Sequence, residues 1–184
     1  LHLCDQNLEQ IEPHQITSTH NLLLDVLLAA KYEGQSLVEK YNEYKERHNV
    51  FPSDICTVLA RSFADIGDIV RGKDLYLGDK KEKLKLEKKL KEYFKKIYEK
   101  LDEKKVGAKD HYEDKDGNYY KLREDWWNAN RQEIWKAITC SAGSGKCFRP
   151  TCSSGNNASA TYDKCQCANT DVPTYFDYVS QYLR

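Results

Sequence analysis

The cysteines of this chain are concentrated in a short segment that has no apolar periodicity. Five of the seven lie between Cys140 and Cys167, among Gly, Ser, Thr, Asn and Lys residues. Because such a segment cannot be ordered by hydrophobic burial, disulfides are its expected source of stability. The sequence therefore predicts an extracellular domain with a cross-linked irregular segment, and it favours binding over catalysis. All seven are disulfide candidates: Cys4, Cys56, Cys140, Cys147, Cys152, Cys165 and Cys167.

The spacing of these cysteines leaves their pairing open. An odd number means that at least one thiol has no partner within the chain. Zinc is the weaker alternative, because structural zinc sites usually present cysteine pairs separated by two to four residues. Here Cys165 and Cys167 are separated by Gln166 alone.

Apolar residues recur at helical spacing along most of the chain, and no convincing alternating strand pattern occurs, which predicts an all-α fold. Gly34 is expected to separate two helices or to kink one. Ser53 is a candidate helix cap, and Gly72 a candidate helix end. The predicted helical segments lie around residues 22–44, 55–70, 86–101, 126–138 and 175–183.

The net charge is zero, with 29 basic and 29 acidic residues, so only the local distribution of charge is informative. Residues 79–105 contain twelve Lys and seven Asp or Glu. This helix is either a solvated face with pairs such as Glu87 to Lys91, or a surface for sulfated or sialylated glycans. The candidate glycan contacts are Lys88, Lys91, Lys95 and Lys96. The tandem Trp126-Trp127 favours a core position over a sugar-stacking platform.

Motifs for catalysis or cofactor binding are incomplete. Residues 141–146 resemble a phosphate-binding loop but lack its first glycine and the hydroxyl residue after Lys146. Asp114 to Gly117 resembles part of a calcium loop, yet Tyr112 and Arg123 occupy ligand positions. We therefore predict no enzyme activity, no cofactor and no metal site. Nothing indicates nucleic-acid binding, and the longest apolar stretch, residues 22–30, is too short to insert into a membrane.

Several long blocks of ordered residues run along the sequence: LHLCD at 1–5, ARSFADIGDIVRGKDLYLG at 60–78, REDWW at 123–127, WKAITC at 135–140 and DVPTYFDYV at 171–179. These blocks resemble the Duffy-binding-like alpha domain of the variant erythrocyte membrane protein 1 adhesins of the malaria parasite. They span nearly the whole chain. Two departures stand out: Ser180 replaces the usual Pro, and Cys147 replaces an expected aromatic residue.

The resemblance implies a disulfide-linked helical bundle with long irregular loops. Residues 1–15 would end the first subdomain and residues 16–167 would form the second, with a Cys-rich loop at 140–167. Residues 168–184 would begin a truncated third subdomain. The stretches 79–120 and 141–163 would be hypervariable and exposed to host antibodies.

The resemblance also implies a function in cytoadhesion and rosetting, with antigenic variation, on the outer face of the infected erythrocyte as part of a larger membrane protein. The implied partners are heparan sulfate, blood-group sugars or complement receptor 1. The alternative is a framework fragment that presents variable loops, with the ligand site elsewhere in the parent protein.

Overall fold

The computed structural model describes residues 19–48, 54–75, 80–101, 106–143, 151–152 and 158–184. Within these residues the chain is helical, and its only extended pairing is an isolated bridge between Cys152 and Ser159. The all-α prediction is confirmed. The helices are α1 (Thr19–His48), α2 (Ile55–Arg71), α3 (Lys80–Glu99), α4 (Ala108–His111) and α5 (Tyr120–Ile138), followed by two 3-10 turns, Phe176–Tyr178 and Gln181–Leu183.

The core lies between α1, α2 and α5, with α3 packed against its side. The Phe63 ring on α2 contacts two indoles of α5, with centroid distances of 5.0 Å to Trp127 and 5.3 Å to Trp135. Trp126 is also buried and meets Phe94 of α3 edge to face at 6.0 Å. The prediction that the tandem tryptophans belong to the core is therefore confirmed.

Helix α1 runs without interruption through Gly34, so the expectation that this glycine separates two helices is wrong. The glycine serves close packing instead. A Cβ atom built at Gly34 would lie 1.9 Å from the carbonyl oxygen of Ile138, at the end of α5. Helices α1 and α5 can approach this closely only because residue 34 has no side chain.

The two ends of α2 are fixed by local signals. Its N-cap is Asp54, whose Oδ1 accepts a hydrogen bond from the Thr57 amide at 2.7 Å. Ser53, the predicted cap, lies outside the described residues. At the other end Gly72 adopts φ 71°, a left-handed conformation that terminates the helix as predicted.

The C-terminal segment differs from the predicted amphipathic α-helix over residues 175–183. It forms two 3-10 turns, and Val179, which caps the first of them, is extended at φ −96° and ψ 136°. This break lets the first turn direct Asp177 into the core, where the carboxylate meets buried donors of α5. Tertiary hydrogen bonds thus override the local helical pattern.

Two disulfides confirm four of the candidate cysteines. Cys56 of α2 is bonded to Cys165, and Cys152 is bonded to Cys167. Since the first bridge spans 109 residues, it ties the Cys-rich loop to the core. Cys140 is an exposed free thiol. Cys4 and Cys147 lie outside the described residues.

Candidate ligand-binding surface

Helix α3 has one apolar face and one charged face. Its inner stripe, packed against the core, consists of Leu86, Leu90, Tyr93, Phe94 and Ile97. Tyr93 is hydrogen-bonded to Asp25 of α1; burial and this carboxylate raise the pKa of the phenol above its ordinary value. On the side of the helix away from this stripe, Lys88 and Lys95 are exposed to solvent.

The structure brings three of the four predicted lysines together. With about 100° of rotation per residue, Lys88, Lys91 and Lys95 lie within about 60° of one another on the outward face. Lys88 and Lys95 are exposed, whereas Lys91 and Lys96 are half-buried. Lys96 is rotated by about 100° from Lys95, toward the flank of the helix.

The sequence suggested an ion pair between Glu87 and Lys91, but Glu87 is paired with a different residue. Its two carboxylate oxygens accept hydrogen bonds from the guanidinium of Arg123 on α5, at 2.7 and 2.9 Å. Arg123 is fully buried, and it also donates to the carbonyls of Val70 and Ile69 at 2.6 and 3.1 Å. A fully buried guanidinium requires such a partner, because an uncompensated buried charge is strongly destabilising.

A second buried arginine joins α2 to α5. Arg71 is ion-paired with Asp68 and with Glu124, at 3.1 Å in each case, and Lys73 approaches the same Glu124 carboxylate. Burial alone would raise the pKa of Glu124, but the hydrogen bond from Lys73 and the charge of Arg71 bring this pKa below its ordinary value. These contacts are structural, since the side chain of Arg71 is only 1% exposed.

Charged groups also hold the C-terminal segment. The fully buried Asp177 carboxylate accepts hydrogen bonds from Trp127 Nε1 at 2.9 Å and from Arg131 at 2.9 and 3.0 Å. Arg184 is paired with Asp68 and lies 3.5 Å from Asp65. Burial raises the pKa of both of these aspartates, against the opposing charge of Arg184.

Sequence reasoning missed this buried charge network, although one signal was available. Arg123 and Arg131 stand four residues before and after Trp127, so both share its helical face. A charged residue on an apolar stripe indicates a buried ion pair. The carboxylate partners come from elements distant in sequence, and no local pattern identifies them. Among the described residues no cluster of three or more His, Cys, Asp or Glu could hold a metal ion.

Together these features define a helical, disulfide-linked framework, held by buried ion pairs, that presents a basic outer helix. The sequence matches the Duffy binding domain family over residues 1–184, and the chain belongs to that family. The resemblance to alpha-type domains is also confirmed. The NTS-DBL1(α-1) domain of Plasmodium falciparum membrane protein 1 (PfEMP1), from the varO strain, is 45% identical with a TM-score of 0.80.

Two further solved structures extend the comparison. The NTS-DBL1α and CIDRγ double domain of the same strain is 45% identical, with a TM-score of 0.79 over 99% of this chain. A PfEMP1 DBLβ domain bound to human ICAM-1 is 32% identical, with a TM-score of 0.69 over 99% of this chain. No curated protein matched the sequence.

The chain is shorter than these relatives. It spans 40% of the varO DBL1 domain, 25% of the double domain and 36% of the DBLβ chain. The family comprises adhesion domains and is not an enzyme family. No α-helix within the described ranges combines the length and hydrophobicity that a transmembrane span requires.

Proposed function

We propose that this chain is part of a cell-adhesion module that binds sulfated glycans of host red cells through the outward face of α3. The contacts are those expected from the sequence, Lys88, Lys91, Lys95 and Lys96. The observation that carries the proposal is the convergence of three of these lysines on one solvent-facing surface. That surface belongs to a helix whose opposite face is buried in the core.

The electrostatics of this surface suit a polyanion. The chain as a whole is neutral, so its attraction for sulfate groups must be local. Each exposed lysine contributes roughly 0.2–1 kcal/mol, and the contacts weaken as salt screens them. Several lysines in a row are needed for useful affinity. A repeating polymer such as heparan sulfate can meet that requirement, whereas an uncharged blood-group sugar cannot use the lysines in this way.

The test is binding of the oxidised chain to immobilised heparin across rising salt. The variant combines Lys88→Glu, Lys91→Glu and Lys95→Glu, and we expect it to lose retention. A matched triple reversal at exposed lysines away from α3, Lys40→Glu, Lys115→Glu and Lys164→Glu, controls for net charge and should keep most of the retention. Equal loss in both variants would show that only total charge matters.

The second candidate is a framework fragment whose ligand site lies elsewhere in the parent protein. The chain spans only 40% of the varO DBL1 domain, so most of a domain of that length is available to hold a ligand site outside this chain. Under this proposal the chain is not retained on heparin, while the longer parent domain is retained. We also propose the division into subdomains at residues 15 and 167 that the family resemblance implies, and limited proteolysis of the parent domain would test these boundaries.

Location and partners follow from the same proposal. A glycan-binding module of this family would act on the outer face of the infected erythrocyte, where variable loops would also meet host antibodies. Human ICAM-1 is the partner of the DBLβ relative. For this chain we propose red-cell heparan sulfate, with complement receptor 1 and blood-group sugars as the other candidates, and competition of red-cell binding by soluble heparin would distinguish them.

A further inference from the structure

The first half of α1 is apolar on its outward side as well as on its inward side. Residues 22–30 consist of eight apolar residues and Asp25. Val26 and Ala30 are completely buried in the core, and Leu28 lies about 200° from each of them around the helix axis. A helix that is apolar all round is typically buried on every side. The outward side of these turns therefore has the composition of a surface that another segment covers.

Three large side chains form a continuous stripe on this outward side. Leu24, Leu28 and Tyr32 are spaced four residues apart, so each lies about 40° further around the helix than the one before. Leu24 is 58% exposed and Tyr32 is 50% exposed, with the partly exposed Leu28 between them. The stripe ends there, because the next residues on this face are Gln35 and Glu39, whose side chains are hydrogen-bonded to each other at 3.1 Å. We call Leu24, Leu28 and Tyr32 the outer α1 stripe.

We propose that residues 1–12 of this chain fold back along α1 and cover the outer α1 stripe. These residues lie outside the part of the chain that the structure describes. Their large apolar side chains are Leu1, Leu3, Leu8 and Ile11. Their charged residues at positions 5, 9 and 12 are all acidic, and they complement Lys31, which is exposed about 20° around the helix from Leu24. The lysines of α3 take no part, so this proposal and the glycan proposal stand or fall separately.

The length of the N-terminal segment and its point of attachment allow this path. The segment is joined to Thr19, the first residue of α1. Along the helix axis, Leu28 is about 14 Å from that point and Tyr32 is about 20 Å from it. Ile11 precedes Thr19 by eight residues, and an extended chain of that length reaches about 26 Å. Ile11 can therefore reach every member of the outer α1 stripe, and Leu8 has three more residues of chain available.

The small size of the outer α1 stripe favours an occupant from the same chain over a second protein. Three partly exposed side chains offer far less than the roughly 800 Å² that each partner contributes to a stable protein–protein interface. A second copy that bound here alone would also lose its translational and rotational freedom. A tethered segment avoids most of that cost, because its effective concentration at the stripe is on the order of millimolar.

The first test places the photoreactive residue p-benzoylphenylalanine at position 28 of the full, oxidised chain. Illumination should join residue 28 to a peptide from residues 1–12, identified by mass spectrometry, while the protein still migrates as a monomer on a denaturing gel. The same probe at the exposed position 115, outside α1, should give no crosslink to residues 1–12. A crosslinked dimer from position 28, or no crosslink from position 28 to residues 1–12, would overturn the proposal.

The second test measures amide hydrogen exchange of residues 1–12. Leu24→Asp combined with Leu28→Asp should speed this exchange by about tenfold or more, since apolar cover is lost and the new carboxylates repel the acidic segment. The control variant, Gln35→Asp with Asn42→Asp, adds the same charge at exposed positions of α1 beyond the stripe and should leave the exchange of residues 1–12 unchanged. Unchanged exchange of α2 shows that each variant is folded. Equal exchange of residues 1–12 in the parent chain and in the double-leucine variant would contradict the docking.

Discussion

Replacing Gly34 with alanine tests the close packing of α1 against α5. The added Cβ would lie 1.9 Å from the Ile138 carbonyl oxygen, 2.7 Å from the carbonyl carbon and 3.1 Å from its Cα. Ordinary contacts of a Cβ begin at 3.4 Å, so α1 must move by roughly 1.5 Å at this point (3.4 − 1.9). The obstacle is backbone, which cannot turn aside as a side chain can.

Two effects of opposite sign decide the outcome. Alanine is better than glycine in a helix interior by about 1 kcal/mol. Against this, a shift of more than 1 Å removes much of the dispersion energy between packed atoms, and Val26 and Ala30 of α1 are completely buried. Forced overpacking and lost contacts together cost about 3–5 kcal/mol. We therefore expect Gly34→Ala to lower the free energy of unfolding by about 2–4 kcal/mol.

The assay is urea unfolding followed by far-UV circular dichroism, with the disulfides intact. The control is the neighbouring exposed Gln35, where Gln35→Ala should exceed Gln35→Gly in stability by about 1 kcal/mol because only helix propensity acts there. Alanine should therefore give a less stable protein than glycine at residue 34, and a more stable protein than glycine at residue 35. An unchanged or increased stability of Gly34→Ala would refute the packing argument.

Three further predictions concern the bridges and the buried charges. Removing Cys56–Cys165 by paired alanines should cost about 1.8 kcal/mol more in unfolding free energy than removing Cys152–Cys167, because the closed segments differ as 109 residues to 15; the reverse order would contradict this. Asp177→Ala should cost about 3–5 kcal/mol by leaving the donors of Arg131 and Trp127 unpaired, while Asp171→Ala on the exposed surface should cost less than about 0.5 kcal/mol in the same urea titration. Because the pKa of Asp65 is raised in the folded state, the folded protein binds its proton more readily, and ionisation of this group costs stability above that pKa. Asp65→Asn should then gain stability at neutral pH relative to the parent, with the gain shrinking as the pH falls toward the ordinary aspartate range; a gain independent of pH would exclude this cause.

Local signals in the sequence were sufficient to predict the four long helices, α1, α2, α3 and α5. The helical period over residues 86–101 predicted α3, and Gly72 marked the end of α2. These features depend on neighbours within one or two turns. The family resemblance rested on long ordered blocks and was equally dependable.

The errors occurred where a partner is distant in sequence. Lys91 was a plausible local partner for Glu87. Glu87 instead pairs with Arg123, 36 residues further on, because the buried guanidinium charge has no access to water and would be strongly destabilising without a partner. The 3-10 turn at Phe176–Tyr178 replaced a predicted α-helix for the same reason, since Asp177 reaches donors of α5. The pairing of Cys56 with Cys165 is likewise nonlocal, and spacing alone could not reveal it.

Helix α3 separates the requirements of folding from those of ligand binding. Its inner face is constrained by contacts such as that of Phe94 with Trp126, whereas the outward lysines Lys88, Lys91 and Lys95 are not part of the core. Substitutions at exposed positions of this kind usually change stability by less than about 0.5 kcal/mol. The charge pattern of the outward face can therefore change while the buried ion pairs of Arg71 and Arg123 preserve the fold. A single framework can on these physical grounds support different ligand preferences.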